Sequence, residues 1–294
     1  MRGGLLLLLP LLALQSSFAL KNLEEPRWKS FLDAKLECAD YLFITGETLD
    51  RYESNGYPDE PSVRKLLNCI AVNLNAWDEE HQRVKDFVFN QYFVPNTVDC
   101  LYKLHTQQCL AQNVDTLDKR DRLGRAYHSF KCYYKHYAGI KNEVKWVPYH
   151  YSEVVQTLED CMYITNPSKC DLLQYCQGQF TANPNYPNMA YCFFVRTGFY
   201  NRSIGFDLNK LYVQFGDDDL IDDDTEECIT GIVDQYCKEP ERLVHLVLDC
   251  LVQYFPAAVS IAEAANNILG NPPECGIPPS PPPKTQPCYN APCP

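Results

Sequence analysis

The chain is poor in positive charge and has no long hydrophobic run. Its 26 Lys and Arg residues are outnumbered by 38 Asp and Glu residues, which gives a formal net charge of −12. Polyanions are repelled by such a protein, so nucleic acid and anionic membrane surfaces are not expected as partners. A membrane-spanning helix needs about 20 apolar residues, and the most apolar stretch, Leu5 to Leu14, is about half as long. No membrane span is therefore predicted.

Recognisable catalytic and metal-binding motifs are also missing. The sequence has no G-x-S-x-G, H-E-x-x-H or P-loop pattern, and it lacks the C-x2-C pairs of zinc sites. The acidic run Asp217–Glu227 does not have EF-hand spacing, and we interpret Asp223 and Glu226 as a helix capping box. His128 and His136 are interpreted as surface residues. No enzyme activity, cofactor or metal is predicted.

The N terminus indicates secretion. Arg2 precedes the apolar run, and Ser17 and Ala19 are the small residues before a cleavage site, so residues 1–19 are predicted to be a signal peptide. Removal of Arg2 with this segment would change the formal charge from −12 to −13. The 15 cysteines then indicate an extracellular disulfide framework. Because this number is odd, at least one thiol is expected to be free or bonded to another chain.

The spacing of the cysteines reveals an internal repeat. Two spacings, one with thirty intervening residues and one with eight, occur twice and in the same order. The two series are Cys38, Cys69, Cys100, Cys109 and Cys132, followed by Cys161, Cys192, Cys228, Cys237 and Cys250. Agreement of two spacings in the same order is hard to obtain by chance, so we predict two copies of one domain.

The segments that carry these cysteines have helical periodicity. Leu208, Leu211, Tyr212 and Phe215, for example, follow the i, i+3, i+4, i+7 pattern of a helix face, and Pro61 is a start signal for another helix. No alternating strand pattern with paired turn signals is apparent. We therefore predict an all-α fold of two tandem, disulfide-stapled helical domains.

The expected organisation has four parts. They are the signal peptide at residues 1–19, a first helical domain at 20–142, a second at 143–268, and a Pro/Cys-rich tail at 269–294. Ten of the 21 prolines lie between residues 271 and 294, together with three cysteines. Because Pro-rich chain is extended and cannot build its own core, the tail is expected to be a linker-like arm or to be pinned by disulfides.

The pattern resembles the insect odorant-binding proteins, and it looks most like the two-domain atypical members found in mosquitoes. The resemblance rests on the two cysteine series and on the stretch from Cys192 through Gly205 to Leu211, and it covers about residues 26–256. It implies two six-helix domains, each with an apolar cavity. The disulfides it implies are Cys38–Cys69, Cys100–Cys132, Cys161–Cys192 and Cys228–Cys250.

The chain departs from the family at the second cysteine. Lys65 and Asn188 stand where that cysteine is found in the family, so Cys109 and Cys237 lack their usual partners. Our hypothesis for the remaining bonds is that the three tail cysteines pair with three others and leave Cys109 unpaired. The cysteines concerned are Cys275, Cys288 and Cys293 in the tail, and Cys170, Cys176 and Cys237.

The resemblance implies a carrier of small hydrophobic ligands such as odorants, pheromones or lipids. Candidate lining residues are Leu74, Trp77, Phe87, Tyr92, Phe93, Leu101, Phe130 and Tyr134 in the first copy, and Phe193, Phe199, Tyr212, Phe215, Leu246 and Phe255 in the second. Taken singly, each of these residues is better explained by ordinary core packing. Asn201 is a candidate glycosylation site in an N-x-S sequon. A membrane receptor and a second copy of the chain are further candidate partners.

Two other functions are compatible with the sequence. Salivary two-domain relatives of the family suggest a scavenger of host amines or lipid mediators, and expression in saliva rather than in sensory organs would favour it. A structural protein of the extracellular matrix, such as eggshell, could be cross-linked through the tail cysteines. Insolubility without a reductant would favour this third function.

Overall fold

The computed structural model describes residues 27–236, 239–251 and 257–270. The chain divides into two units, Met1–Pro148 and Tyr149–Pro294, and helices dominate both of them. This confirms the predicted all-α fold with two tandem helical parts. No helix in the described ranges combines the length and the apolar character needed to cross a membrane. The predictions for residues 1–19, Cys237, Phe255 and the tail beyond residue 270 lie outside the described residues.

Six α-helices form the described part of the first unit. They are α1 (Phe31–Tyr41), α2 (Gly46–Ser54), α3 (Pro61–Asn73), α4 (Asp86–Phe89), α5 (Tyr102–Asn113) and α6 (Arg122–His136). A capping box between Ser30 and Asp33 begins α1, and Pro61 occupies the first turn of α3, as predicted. Helix α3 packs against both α1 and α6.

The described part of the second unit has seven α-helices. They are α7 (Tyr151–Thr165), α8 (Lys169–Cys176), α9 (Tyr186–Arg196), α10 (Leu208–Phe215), α11 (Asp223–Gln235), α12 (Glu239–His245), which continues as a π-helix (Leu246–Leu251), and α13 (Ala257–Leu269). Helix α9 packs on α7 and α12, and α13 packs on α7 and α8. The walls of this unit therefore come from distant parts of the sequence.

The predicted capping box of α11 is wrong. Helix α11 is capped by Asp222, one residue earlier than expected, and the Asp222 side chain makes no capping hydrogen bond. The third helical position thus falls on Thr225 rather than Glu226. The Thr225 hydroxyl instead donates to the carbonyl oxygen of Asp219 at 2.8 Å.

Three pairs of two-residue antiparallel strands accompany the described helices. They are β1 (Trp28–Lys29) with β4 (Lys145–Trp146), β2 (Trp77–Asp78) with β3 (Arg83–Val84), and β5 (Tyr200–Asn201) with β6 (Gly205–Phe206). Two residues are too few to produce the alternation by which a strand is recognised in a sequence. The candidate glycosylation residue Asn201 is exposed in the third hairpin, where its side-chain oxygen accepts from the Ser203 amide at 2.8 Å.

Three of the four disulfides implied by the resemblance are present, and the fourth implied bond is wrong. Cys38–Cys69 and Cys161–Cys192 each span 31 positions, and Cys228–Cys250 spans 22. Cys132, however, bonds to Cys109 across 23 positions, and Cys100 is a free, exposed thiol. Cys109 is thus the equivalent of Cys228, and the recurring eight-residue spacing was misleading.

The physical reason for this pairing is the position of each cysteine in the helices. Cys109 lies within α5, which packs along α6, so its sulfur reaches Cys132 with a Cα–Cα distance of 5.6 Å. Cys100 precedes α5 and is exposed to solvent. The hypothesis that Cys109 is the unpaired residue is therefore also wrong. Cys170 and Cys176 are both disulfide-bonded.

A pair of variants tests this arrangement. Removing the α5–α6 bond with C109S/C132S is expected to lower the free energy of unfolding by about 2–4 kcal/mol, because the unfolded chain loses a constraint. Cys100→Ser removes an exposed thiol without a bond, so a change within about 0.5 kcal/mol is expected. Chemical denaturation followed by circular dichroism measures both. A peptide map in which Cys100 is bonded to Cys132 would contradict the assignment.

Candidate functional site

The predicted lining residues of the first unit do not all face its interior. Leu74, Trp77, Tyr92, Phe93 and Phe130 are buried. Phe87 and Tyr134 are half-buried, whereas Leu101 is 52% exposed. Because the Leu101 side chain projects into solvent at the beginning of α5, the assignment of this residue to a cavity wall is wrong.

Aromatic rings of the protein fill the centre of the first unit. The Phe93 ring centroid lies 6.2 Å from that of Phe31, 6.1 Å from that of Phe130 and 5.3 Å from those of both Phe89 and Tyr133. All five side chains are at most 2% exposed. Rings at these separations are in direct contact. Phe93 and Phe130 therefore act as core residues in this structure.

The second unit brings together only part of its predicted set. Phe193, Phe199 and Leu246 are buried, and Tyr212 and Phe215 are half-buried. Of these five residues, Phe193 and Phe215 line an apolar pocket. The other three do not line it: Tyr212 lies in α10, Leu246 in the π-helix, and Phe199 in the turn between α9 and β5.

Four helices and the π-helix supply the walls of this apolar pocket. The lining residues are Val154 and Leu158 of α7, Tyr186, Met189, Ala190, Phe193 and Phe194 of α9, Phe215 of α10, Val247 of the π-helix, and Ser260 and Ile261 of α13. The cavity volume of this pocket is about 40 Å³. A cavity needs about 10–15 Å³ to hold one water, so the pocket has room for only a small group as it stands.

Sequence reasoning missed most of the α9 wall. Tyr186, Met189, Ala190 and Phe193 follow the i, i+3, i+4, i+7 pattern and therefore share one helix face. That periodicity could have identified the set. The predicted lining contained only bulky side chains and omitted Ala190, whose small size leaves part of the space empty.

A comparison of matched positions in the two units explains why the second unit has this space. Because Cys38–Cys69 and Cys161–Cys192 have the same span, residues of α1 and α3 can be matched with residues of α7 and α9. Position for position, Phe31 corresponds to Val154, and Leu67 corresponds to Ala190. At both matched positions the second unit has the smaller side chain, which leaves a gap where the first unit has packed atoms.

Polar groups are few at the pocket. Burial raises the pKa of Tyr186 well above its usual value. Tyr175 is buried nearby, and its hydroxyl has no hydrogen-bond partner within the described ranges. Burial is the main cause of the raised pKa of Tyr175, with smaller contributions from Asp171 and Tyr186. Both phenols are therefore uncharged hydrogen-bond donors.

A larger concavity on the second unit has a different character. It surrounds the β5–β6 hairpin, has a volume of about 590 Å³ and includes Arg202, Asp207 and Lys210 among its walls. Charged groups of this kind favour water over an apolar guest. The apolar pocket is therefore the better candidate for a hydrophobic ligand.

Comparisons with known proteins are consistent with two copies of one domain in this chain. The sequence profile of the PBP/GOBP family matches residues 21–136 and again residues 145–254. The chain is also similar to General odorant-binding protein 69 of Anopheles gambiae, with 26% identity over 181 residues that cover 58% of this chain and 76% of that protein. No solved structure matches the chain significantly. The first match lies within the first unit, and all but the first four residues of the second match lie within the second unit.

Proposed function

The chain belongs to the PBP/GOBP family, and from this premise we propose that it is a secreted carrier of odorants or similar lipophilic molecules. The family binds small hydrophobic ligands and is a carrier family rather than an enzyme family. We assign the binding site to the apolar pocket of the second unit. The observation that carries this assignment is its lining, in which Tyr186 and Ser260 alone have a polar group in the side chain.

The energy of transfer sets the size of the ligand. Each buried methylene contributes about 0.8 kcal/mol, and micromolar affinity requires about 8 kcal/mol. About ten carbons are thus sufficient, and the Tyr186 hydroxyl would donate to a polar end group of the ligand. This chemistry is that of volatile alcohols, esters and ketones, or of short lipids.

A guest of this size requires the pocket to widen. Met189 is unbranched and adapts its shape at low cost. Phe215 is half-buried at the last position of α10, and the following Gly216 has a φ of 80°, which ends the helix in a conformation that glycine adopts without strain. Outward movement of the Phe215 ring would enlarge the space without breaking the Cys161–Cys192 bond between the α7 and α9 walls.

Filling the pocket tests the proposal. Ala190→Leu introduces the side chain found at the matched position Leu67, and we expect it to weaken binding of a fluorescent naphthylamine probe about tenfold or more, since overpacking costs about 1–3 kcal/mol. Asn188→Leu is the matched control, because it adds the same side chain on the exposed face of α9. Probe fluorescence titration of the secreted protein gives both affinities. Equal affinities for A190L and the unchanged protein, or no probe binding at all, would overturn the assignment.

Secretion is part of the same proposal. The apolar leader that ends near Ala19 and the disulfides in both units support it. A receptor or a second copy of the chain as partner stays a prediction. So do the scavenger and matrix functions, since no feature of the described residues favours either of them over a carrier.

A further inference from the structure

A cluster of potential metal ligands lies in the first unit, away from the aromatic core. Asp99 Oδ2 and His105 Nδ1 are 2.8 Å apart, and the ring centroids of His105 and His136 are 5.8 Å apart. One ligand atom from each of the three residues lies within 4.8 Å of the other two. Within the described ranges, no other three His, Cys, Asp or Glu side chains converge in this way.

Three separate segments bring these side chains together, and hydrogen bonds fix their relative positions. The Asn96 side chain donates to the carbonyl oxygen of His136 at 3.2 Å, and it accepts from the Asp99 amide at 3.2 Å. The other Asp99 carboxylate oxygen accepts from the Leu101 amide at 3.0 Å. The turn that carries Asp99 is therefore attached both to the end of α6 and to the beginning of α5, which carries His105.

The cluster is accessible to solvent. The side chains of His105 and Asp99 are 40% and 33% exposed, so an ion can enter without unfolding the unit. An imidazole nitrogen that carries no proton offers a lone pair to a metal ion.

Two imidazoles and one carboxylate match the ligand preferences of divalent transition metals. We propose that Asp99, His105 and His136 form a site for a divalent transition-metal ion such as Zn²⁺, with water completing its coordination. The ion connects the turn before α5 with the last turn of α6. Because it binds only the folded arrangement, it also stabilises the first unit.

Titration with Co²⁺ tests this site, since cobalt replaces zinc in such sites and absorbs visible light. The full secreted protein is expected to bind one equivalent with a saturable absorption band, and Zn²⁺ is expected to displace it. His105→Gln and His136→Gln should each weaken binding by at least about tenfold, as loss of a ligand costs no less than loss of a group that supports one. Circular dichroism checks that both variants are folded.

Two control variants are available in the same unit. His81 forms a similar pair with Asp78 at 2.8 Å without belonging to a group of three within the described residues, so His81→Gln should bind Co²⁺ as the unchanged protein does. Cys100→Ser should also retain binding, which excludes the free thiol as the main ligand. The proposal is overturned if no saturable binding occurs, if H105Q binds normally, or if either control loses the ion. His105 is exposed, so H105Q decides the matter even if H136Q does not fold.

Discussion

Phe93→Ala is expected to lower the free energy of unfolding of the first unit by about 3–5 kcal/mol. The Phe93 ring is fully buried, and its neighbours Phe31, Phe89, Phe130 and Tyr133 come from three different helices. None of these backbones can move inward far enough to fill the space of a phenyl ring. The variant therefore loses both the transfer energy of the ring and its contacts with the cavity walls.

Chemical denaturation with a matched control measures this effect. Val98 lies five residues further along the same connection and is 96% exposed, so Val98→Ala should change the free energy of unfolding by no more than about 0.5 kcal/mol. Probe binding by folded F93A should equal that of the unchanged protein, because our proposed pocket is in the second unit. Loss of probe affinity in a stable F93A protein would show that Phe93 lines a cavity instead.

The sequence was sufficient to predict most of the helices. The apolar periodicity of Leu208–Phe215 coincides with α10, and Pro61 marks the first turn of α3. The exact start of α11 was missed, since several consecutive aspartates can each cap a helix and the sequence does not rank them. The two-residue strands could not be predicted from the sequence either, because they are too short to show an alternating pattern.

Cysteine pairing shows a different limit of sequence reasoning. Equal spacings identified the repeat correctly, yet one of the two spacings linked residues that are not equivalent. Cys100 directly precedes α5 and Cys109 lies within it, and the sequence alone does not tell which of the two faces α6. That choice depends on the rotation of the helix, which is set by packing against the rest of the unit.

The candidate site was predicted only in part for a related reason. Large aromatic residues indicate where a core is, and most of those chosen are indeed buried. A pocket, however, is a place where side chains are too small to fill the available space. The side chains of Val154 and Ala190 are smaller than those of Phe31 and Leu67 at the matched positions of the first unit. Finding this difference requires the correct matching of the two units.

Arg125→Met is the second variant with a large expected effect, and it concerns a buried charge. The Arg125 side chain is 4% exposed, and its guanidinium donates to the carbonyl oxygens of Gln82 and Val114 at 2.6 Å each and of Leu117 at 3.0 Å. Methionine retains much of the apolar stem but leaves the Gln82 and Leu117 carbonyls without this donor, whereas the Val114 carbonyl still accepts from the Leu117 amide at 3.1 Å. At about 1–3 kcal/mol for each unsatisfied buried group, we expect the free energy of unfolding to fall by about 3–5 kcal/mol.

Arg120→Met separates this effect from the loss of one positive charge. The Arg120 side chain is 90% exposed and pairs with Asp118, so its removal should cost no more than about 1 kcal/mol. If R125M proved as stable as R120M, water or a rearranged turn would have to satisfy the Gln82 and Leu117 carbonyls. A large difference in stability between R125M and R120M would instead mean that Arg125 holds the α5–α6 connection and the turn at Gln82 against α6. The Cys109–Cys132 bond would then be only one of two links between these segments. The first unit would then owe its rigidity to a buried cation as well as to its aromatic core.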